Sequence, residues 1–249
     1  MRILIAALAV IVLVGTAHAK VVFVDDNASA GGDGTSWASA HKYLQDALGG
    51  VGYGDEIWVA EGTYKPDQGG GKTAGDRTSS FLLVNGVGMY GGFKGKETMR
   101  TPLGDGNQTI LSGEINADSE LWSIHVVMGN GLDASTVMDG FRITKGNANG
   151  TSGDYGKGGG MYNYKSSPTL ANCVFTGNSA KSGGGMHNHS SSSPTLTNCV
   201  FTGNLVNNTY SKRGGGMCNE YKSSPILTNC VFSGNSPSGM YNLDSSSPT

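Results

Sequence analysis

The chain has 249 residues, with 17 Lys and Arg against 19 Asp and Glu, so its formal net charge is −2. This balance argues against a nucleic-acid partner and against a polybasic membrane-surface role. Glycine accounts for 41 residues and charged residues for only 14%, without a Gly-X-Y period. Collagen is thereby excluded, and ordinary disorder fits poorly with so little charge.

The first 19 residues have the features of a secretory signal peptide. Arg2 precedes an apolar run from Ile3 to Val14, and Ala17-His18-Ala19 offers the small-x-small pattern for cleavage. The run is short for a membrane span, and an uncleaved anchor is the alternative. We therefore expect a signal peptide over 1–19 and a mature chain without a transmembrane segment. The expected location is secreted, extracellular or at the outer cell surface.

Residues 20–54 are predicted to form an N-terminal cap. Val21–Asp25 has the pattern of a strand. Thr35 or Ser36 can then cap one helix that ends at Gly49-Gly50. Its buried side would carry residues at helical spacing, namely Trp37, His41, Leu44 and Leu48. Such a helix would cover the open end of a stack of strands.

Residues 158–249 contain clear internal repeats. The segment GGGMYN at 158–163 recurs at 183–188 and 214–219, and in shortened form at 239–242. Each copy is followed by Ser-Ser-Pro, and the first three then continue into Asn-Cys-Val-Phe-x-Gly-Asn. One unit is longer by an insertion at 205–213, which is typical of a loop on a solenoid.

Within each unit the periodicity is that of short strands. Cys173 and Phe175 fall on one face, and the odd offset from Leu170 predicts a bend near Ala171-Asn172. Short strands joined by tight bends and repeated in this way predict a parallel β-helix over 55–249. At roughly 25 residues per coil there is room for about eight coils.

Stacking would align equivalent residues of successive coils. The predicted core columns are Met161/Met186/Met217/Met240, Cys173/Cys199/Cys230 and Phe175/Phe201/Phe232. Asparagines at 163/188/219/242 and 178/204/235 are expected to hydrogen-bond along the stack and to adopt left-handed bends, a structural role favoured over a ligand site. The cysteine column is interpreted as buried thiols; a disulfide is the alternative, and would leave one of the three unpaired.

Several motifs carry a family resemblance. Thr35-Ser-Trp37, Leu44–Leu48, Gly54–Ile57 and Glu61–Tyr64 resemble the cap and first coil of exported right-handed β-helix proteins of the pectin-lyase-like superfold. The repeats resemble those of polymorphic outer-membrane proteins, which pair Gly-Gly-x-aliphatic with Phe-x-x-Asn; here methionine replaces the aliphatic residue. The resemblance implies an all-β, right-handed parallel β-helix with a short capping strand and helix. It leaves activity open, because the superfold hosts lyases, hydrolases, epimerases and adhesins.

The acidic residues do not predict a catalytic site. Polysaccharide cleavage needs paired carboxylates, or carboxylates that gather Ca²⁺ beside a base. From Gly146 onward the acids are Asp154, Glu220 and Asp244, and they are not in register. Asp25-Asp26 is the candidate calcium site near the cap, although a solvated strand end is the favoured interpretation. No catalytic or cofactor-binding residue is assigned.

One constellation invites a metal hypothesis. His187 and His189 flank Asn188 and are expected to point outward, and the next coil places Cys218 and Glu220 at the equivalent positions. Stacking would form a patch of zinc-site size. The alternative is free variation of outward positions, since the preceding coil has Tyr162 and Tyr164 there. No metal ligand is assigned.

We therefore expect an exported, non-catalytic β-helix protein used for adhesion or carbohydrate binding. Its partner would be a polysaccharide or the surface of a host or neighbouring cell. The alternatives are a polysaccharide lyase or related carbohydrate-active enzyme, and a structural stalk. The chain ends at Thr249 within a repeat, which predicts a fragment of a longer natural protein.

Overall fold

A computed structural model describes residues 19–100, 109–208 and 213–249. The predicted signal peptide, apart from Ala19, lies outside the described residues, as do four residues of the 205–213 insertion. Within the described residues, no helix is long and apolar enough to cross a membrane.

Short strands of the described residues form four parallel sheets. Sheet A contains, in spatial order, β1 (Val21–Val24), β2 (Glu56–Ala60), β5 (Gly88–Phe93), β8 (Val137–Asp139), β12 (Thr169–Ala171), β16 (Thr195–Thr197) and β20 (Ile226–Thr228). Sheet B contains β3 (Gly62–Tyr64), β6 (Thr109–Ser112), β9 (Phe141–Thr144), β13 (Val174–Thr176), β17 (Val200–Thr202) and β21 (Val231–Ser233). Sheet C contains β4 (Phe81–Leu82), β7 (Val127–Asn130), β11 (Met161–Tyr164), β15 (Met186–His189), β19 (Met217–Asn219) and β22 (Met240–Asn242). The small sheet D contains β10 (Asn147–Ala148), β14 (Ser179–Ala180) and β18 (Leu205–Val206).

The chain visits the sheets in the same order in every turn, from A to B and then to C. Each strand pairs in parallel with its equivalent in the next coil, so the predicted parallel β-helix is confirmed. The described residues contain six such coils rather than about eight. The estimate was too high because the segments that join β3 to β4 and β5 to β6 are much longer than the bends of the repeats.

The predicted apolar columns are confirmed. Met161 pairs with Met186, Met186 with Met217 and Met217 with Met240. The rings of Phe175, Phe201 and Phe232 stack in parallel at centroid distances of 4.7 Å. Three of the cysteines stand in the same core, and all four cysteines of the chain are free thiols in this structure (Cys173, Cys199, Cys218 and Cys230).

The asparagines form ladders inside the stack, as expected. The first ladder runs from Asn163 through Asn188 and Asn219 to Asn242, with amide-to-carbonyl distances of 2.9, 2.8 and 2.8 Å. The expected left-handed backbone is wrong for these columns and occurs instead at Asn172, Asn198 and Asn229, with φ of 49°, 54° and 53°. A ladder residue on a strand must stay extended to pair with the next coil. The bend between sheets A and B takes the positive φ, which confirms the predicted bend at Ala171-Asn172.

The first glycine of each GGG motif folds the chain back onto sheet C. Gly158, Gly183 and Gly214 have φ near +60°, and an added Cβ would lie within 2.3 Å of the carbonyl oxygen three residues later. Any other residue would collide with the strand that follows. This turn therefore brings the preceding segment against the outer face of sheet C.

The N-terminal segment departs from the single predicted helix. Trp37–Ser39 forms a 3₁₀ turn, in which Ser36 is the N-cap and accepts a hydrogen bond from the amide of Ser39, and the α-helix α1 spans only Leu44–Leu48. Between them, the backbone of His41 pairs with β1, donating to Phe23 and accepting from Asp25 at 2.9 Å. This pairing competes successfully with helix formation. Leu44, Ala47 and Leu48 join the core at the end of the stack. The other 3₁₀ turns of the described residues are Ser119–Leu121 and Gly153–Gly156.

Candidate functional site

The candidate site lies on the outer face of sheet C. Strand register stacks Leu82, Met128, Tyr162, His187, Cys218 and Tyr241 directly above one another, one from each of the six coils. By alternation these side chains point away from the methionine and asparagine columns. We call this set the outer column.

The outer column is buried rather than exposed over much of its length. Tyr162 is 2% exposed, and His187 and Cys218 are 0% exposed. His187 lies on the outer face of the sheet, as expected, but another segment covers it, so it is not exposed to solvent. Lys157, Ser182 and Arg213 form a further line of parallel bridges just before the GGG turns, and those turns fold this line back toward the outer column.

Aromatic rings extend the column on both sides. The rings of His125 and Tyr162 stack at 5.3 Å, and those of Tyr162 and His187 lie 5.9 Å apart. His189 belongs to a second, more exposed row, in which it stacks on Tyr164 at 5.9 Å and meets Tyr221 edge-on at 4.7 Å. The site thus combines a buried aromatic column with a partly exposed aromatic row.

A buried polar cluster occupies the middle of the column. Single atoms of His187, Cys218 and Glu220 lie within 4.8 Å of one another, and all three residues are buried. His187 Nε2 is 3.6 Å from Glu220 Oε2, beyond hydrogen-bond distance. Arg213 donates from Nη1 to Glu220 Oε1 at 2.6 Å. The structure therefore brings together three of the four residues of the metal hypothesis and leaves His189 outside the cluster.

Burial and pairing set the charges of this cluster. Burial lowers the pKa of His187, although Glu220 opposes the effect, so the imidazole is neutral at pH 7. Burial raises the pKa of Glu220, but its contacts, above all the hydrogen-bonded guanidinium of Arg213, lower it by more, to about 2. Burial raises the pKa of the Cys218 thiol to about 12. A thiol in this state is a poor nucleophile at neutral pH, so the cluster does not have the chemistry of a Cys-His-acid triad.

A cleft of about 510 Å³ opens beside the part of the outer column that contains Met128 and Tyr162. Its lining includes His125, Met128, Asp154, Tyr155 and Tyr162, with hydroxyl groups from Thr78 and Ser152. The 3₁₀ turn Gly153–Gly156 supplies one wall. This volume lies within the range of about 300–1,000 Å³ that is usual for small-molecule sites.

The cleft presents both apolar and charged groups to a ligand. Tyr155 is 49% exposed. Asp154 pairs with Lys157 at 3.1 Å; burial raises the pKa of this acid, but Tyr162 and Lys157 lower it by more, so it is a carboxylate at neutral pH. Burial lowers the pKa of His125 to about 4, and its Nδ1 donates to the carbonyl oxygen of Gly158 at 3.0 Å. An aromatic face beside a hydrogen-bond acceptor can bind a ligand that has both apolar faces and hydroxyl groups.

The calcium candidate at the cap is engaged in local contacts. Asp26 accepts a hydrogen bond from the amide of Thr63 and Asp25 one from the amide of Asn27, both at 2.9 Å. Lys42 donates to the carbonyl oxygen of Asp26 at 3.1 Å, which places an ammonium beside the two acids. Calcium binding here stays a prediction.

Several site residues were missed at the sequence level. His125 and Tyr155 lie outside the clear repeats, and no pattern links them to Tyr162. Arg213 could have been found, because Lys157, Ser182 and Arg213 all directly precede a GGG motif. Extending the aligned repeats by one residue toward the N-terminus would have included Arg213, in the same unit as Glu220.

No protein-family model and no curated protein matches the chain. Among solved structures, a rhamnogalacturonan lyase is 13% identical with a TM-score of 0.41, covering 92% of this chain and 62% of that one. Pectate lyase Pel9A is 14% identical with a TM-score of 0.35, covering 87% of this chain and 64% of that one. The chain thus spans slightly less than two thirds of the length of either protein. The class that its own strands define is the parallel β-helix.

Proposed function

We propose that this chain is an exported, non-catalytic β-helix protein that binds carbohydrate at the cell surface or in the medium. The observation that carries the proposal is the cleft beside the outer column, in which half-exposed Tyr155 and the ionised Asp154 face the same space. Sugars offer C–H faces that pack on aromatic rings and hydroxyl groups that donate to carboxylates.

The sequence supports export and a surface location. Residues 1–19 have the features of a signal peptide, and the repeats at 158–249 resemble those of polymorphic outer-membrane proteins. A solenoid is suited to this task because equivalent residues of successive coils repeat about every 4.8 Å and form long, regular surfaces. Adhesion would then follow from binding a polysaccharide of another surface.

A binding panel combined with an activity assay tests this proposal. The purified protein is run in affinity gels that contain xylan, β-glucan, alginate or polygalacturonate, and is incubated with the last two in the presence of Ca²⁺. Retardation in at least one gel without release of unsaturated products is the expected result. Robust formation of unsaturated products would instead establish the lyase alternative. Absence of retardation in all four gels would contradict carbohydrate binding of this kind.

A further inference from the structure

We propose that His187, Cys218 and Glu220 form a zinc site that clamps two neighbouring coils together. His187 lies on β15 and Cys218 on β19, at paired positions of adjacent strands, and Glu220 follows directly after β19. The site goes beyond the proposed function, because it does not depend on carbohydrate binding.

The first support is the spacing of the ligand atoms. His187 Nε2 and Glu220 Oε2 are 3.6 Å apart, and Cys218 Sγ is 3.9 Å from Glu220 Oε1. Zinc bonds of about 2.0–2.3 Å arranged tetrahedrally place neighbouring ligand atoms about 3.3–3.6 Å apart. One ligand atom from each of the three residues lies within 4.8 Å of the other two, so the widest separation would have to shorten by up to about 1–1.5 Å for all three to bind one ion.

The second support is an unsatisfied imidazole. His187 is fully buried, and its ring nitrogens make no hydrogen bond of normal geometry among the described residues, although Glu220 and the backbone of Ser182 lie close enough to influence its pKa. Buried polar atoms in native proteins are nearly always paired, and each exception calls for an explanation. A metal ion bonded to Nε2 supplies the partner that this nitrogen lacks, and the backbone of Ser182 is the group near the ring that could serve Nδ1.

The third support is the contact between Glu220 and Arg213. Arg213 holds Oε1 at 2.6 Å, which fixes the carboxylate while Oε2 faces His187. Carboxylates that bind metals are commonly held by such an outer hydrogen bond. The arginine side chain is 39% exposed, so its own charge is partly solvated.

The donor set selects the metal. Imidazole, thiolate and carboxylate together suit zinc, whereas calcium and magnesium require oxygen ligands throughout. On binding, the Cys218 thiol loses its proton to solvent as the Zn–S bond forms, while His187 and Glu220 bind without losing one. The thiolate and the carboxylate then balance the two charges of Zn²⁺. Water takes the fourth position.

Metal titration of the purified protein tests the proposal. After treatment with a chelator, the protein is titrated with ZnCl₂ in a calorimeter, and a second sample is loaded with Co²⁺ for absorption spectroscopy. We expect one Zn²⁺ per chain and a thiolate-to-cobalt charge-transfer band. Cys218→Ser should remove that band, and Cys218→Ser and Glu220→Gln should each weaken zinc binding at least about tenfold.

Matched controls lie elsewhere in the same solenoid. Cys230→Ser and His189→Ala change the same residue types outside the cluster and should leave both stoichiometry and spectrum unchanged. Wild-type protein that gives no heat with zinc and no charge-transfer band would overturn the proposal, and this result needs no variant to fold. Zinc binding that survives Cys218→Ser unchanged would overturn it as well.

Discussion

Asn188 donates a hydrogen bond from its side-chain amide to Oδ1 of Asn219 at 2.8 Å, and both side chains are 0% exposed. Asn188 also accepts a hydrogen bond from Asn163 at 2.9 Å. With the further hydrogen bond from Asn219 to Asn242 at 2.8 Å, these contacts make Asn188 a central link of a ladder that crosses four coils. A stack with so few charged residues thus pairs these buried amides with one another by repeating an asparagine in each of the repeat coils.

Replacing this central amide should destabilise the solenoid. In Asn188→Ala, the amide of Asn163 loses its acceptor and the carbonyl of Asn219 loses its donor, which should lower the unfolding free energy by about 2–5 kcal/mol. Urea unfolding followed by circular dichroism measures the change. Asn198→Gly is the control: this asparagine is exposed with φ of 54°, and its loss should cost under about 1 kcal/mol. Equal effects of the two variants would refute a special role for the buried ladder.

A pair of glycine variants separates backbone strain from collision. Gly183 and Gly203 have φ of +64° and +62°, but an added Cβ meets the carbonyl oxygen of Met186 at 2.3 Å in the first case and nothing within 4 Å in the second. Gly203→Ala should cost about 1–2 kcal/mol through left-handed strain alone. Gly183→Ala should cost about 1–3 kcal/mol more, because the chain must shift. Thermal unfolding of both variants measures the difference. Similar melting temperatures would contradict the claim that an added Cβ at Gly183 collides with the strand that follows.

His125 should make stability depend on pH. Its pKa is lowered by burial to about 4 in the folded chain from an ordinary value of 6.5, so the unfolded chain binds more protons between these values. The free energy of unfolding that depends on neutral His125 is fully present above pH 6.5. It decreases as the pH falls toward 4, by about 3 kcal/mol in total. Urea unfolding at several pH values measures this slope. His125→Gln, which can still donate to Gly158, should flatten it; an unchanged slope would contradict the assignment.

The sequence predicted the fold well because the repeats carry a two-residue periodicity that is independent of distant segments. Met161, Met186 and Met217 could be aligned by counting along the repeats. Because successive coils stack in register, the aligned residues then form a column. The outward face of His187 was predicted correctly, but its burial was not, because alternation tells which face a side chain is on and not whether another segment covers that face. That face is covered because the GGG turns fold the segments that end at Lys157, Ser182 and Arg213 back over it.

The N-terminal helix was overestimated for a similar reason. Helical spacing of Trp37, His41 and Leu44 is a local signal, whereas the backbone of His41 pairs with β1, a contact that no local pattern reveals. The cleft was missed because its walls come from segments that are far apart in the chain, around Thr78, His125 and Tyr155.

Carbohydrate binding in the cleft is tested most directly by removing its exposed ring. Calorimetry compares wild type, Tyr155→Ala and Tyr53→Ala with the polysaccharide that retards the wild type most strongly. Tyr53 is 73% exposed and does not line the cleft, so its variant serves as the matched control. We predict that Tyr155→Ala binds about tenfold or more weakly, which corresponds to about 1.4 kcal/mol, whereas Tyr53→Ala binds like wild type. Unchanged affinity in Tyr155→Ala, or an equal loss in both variants, would contradict binding in this cleft.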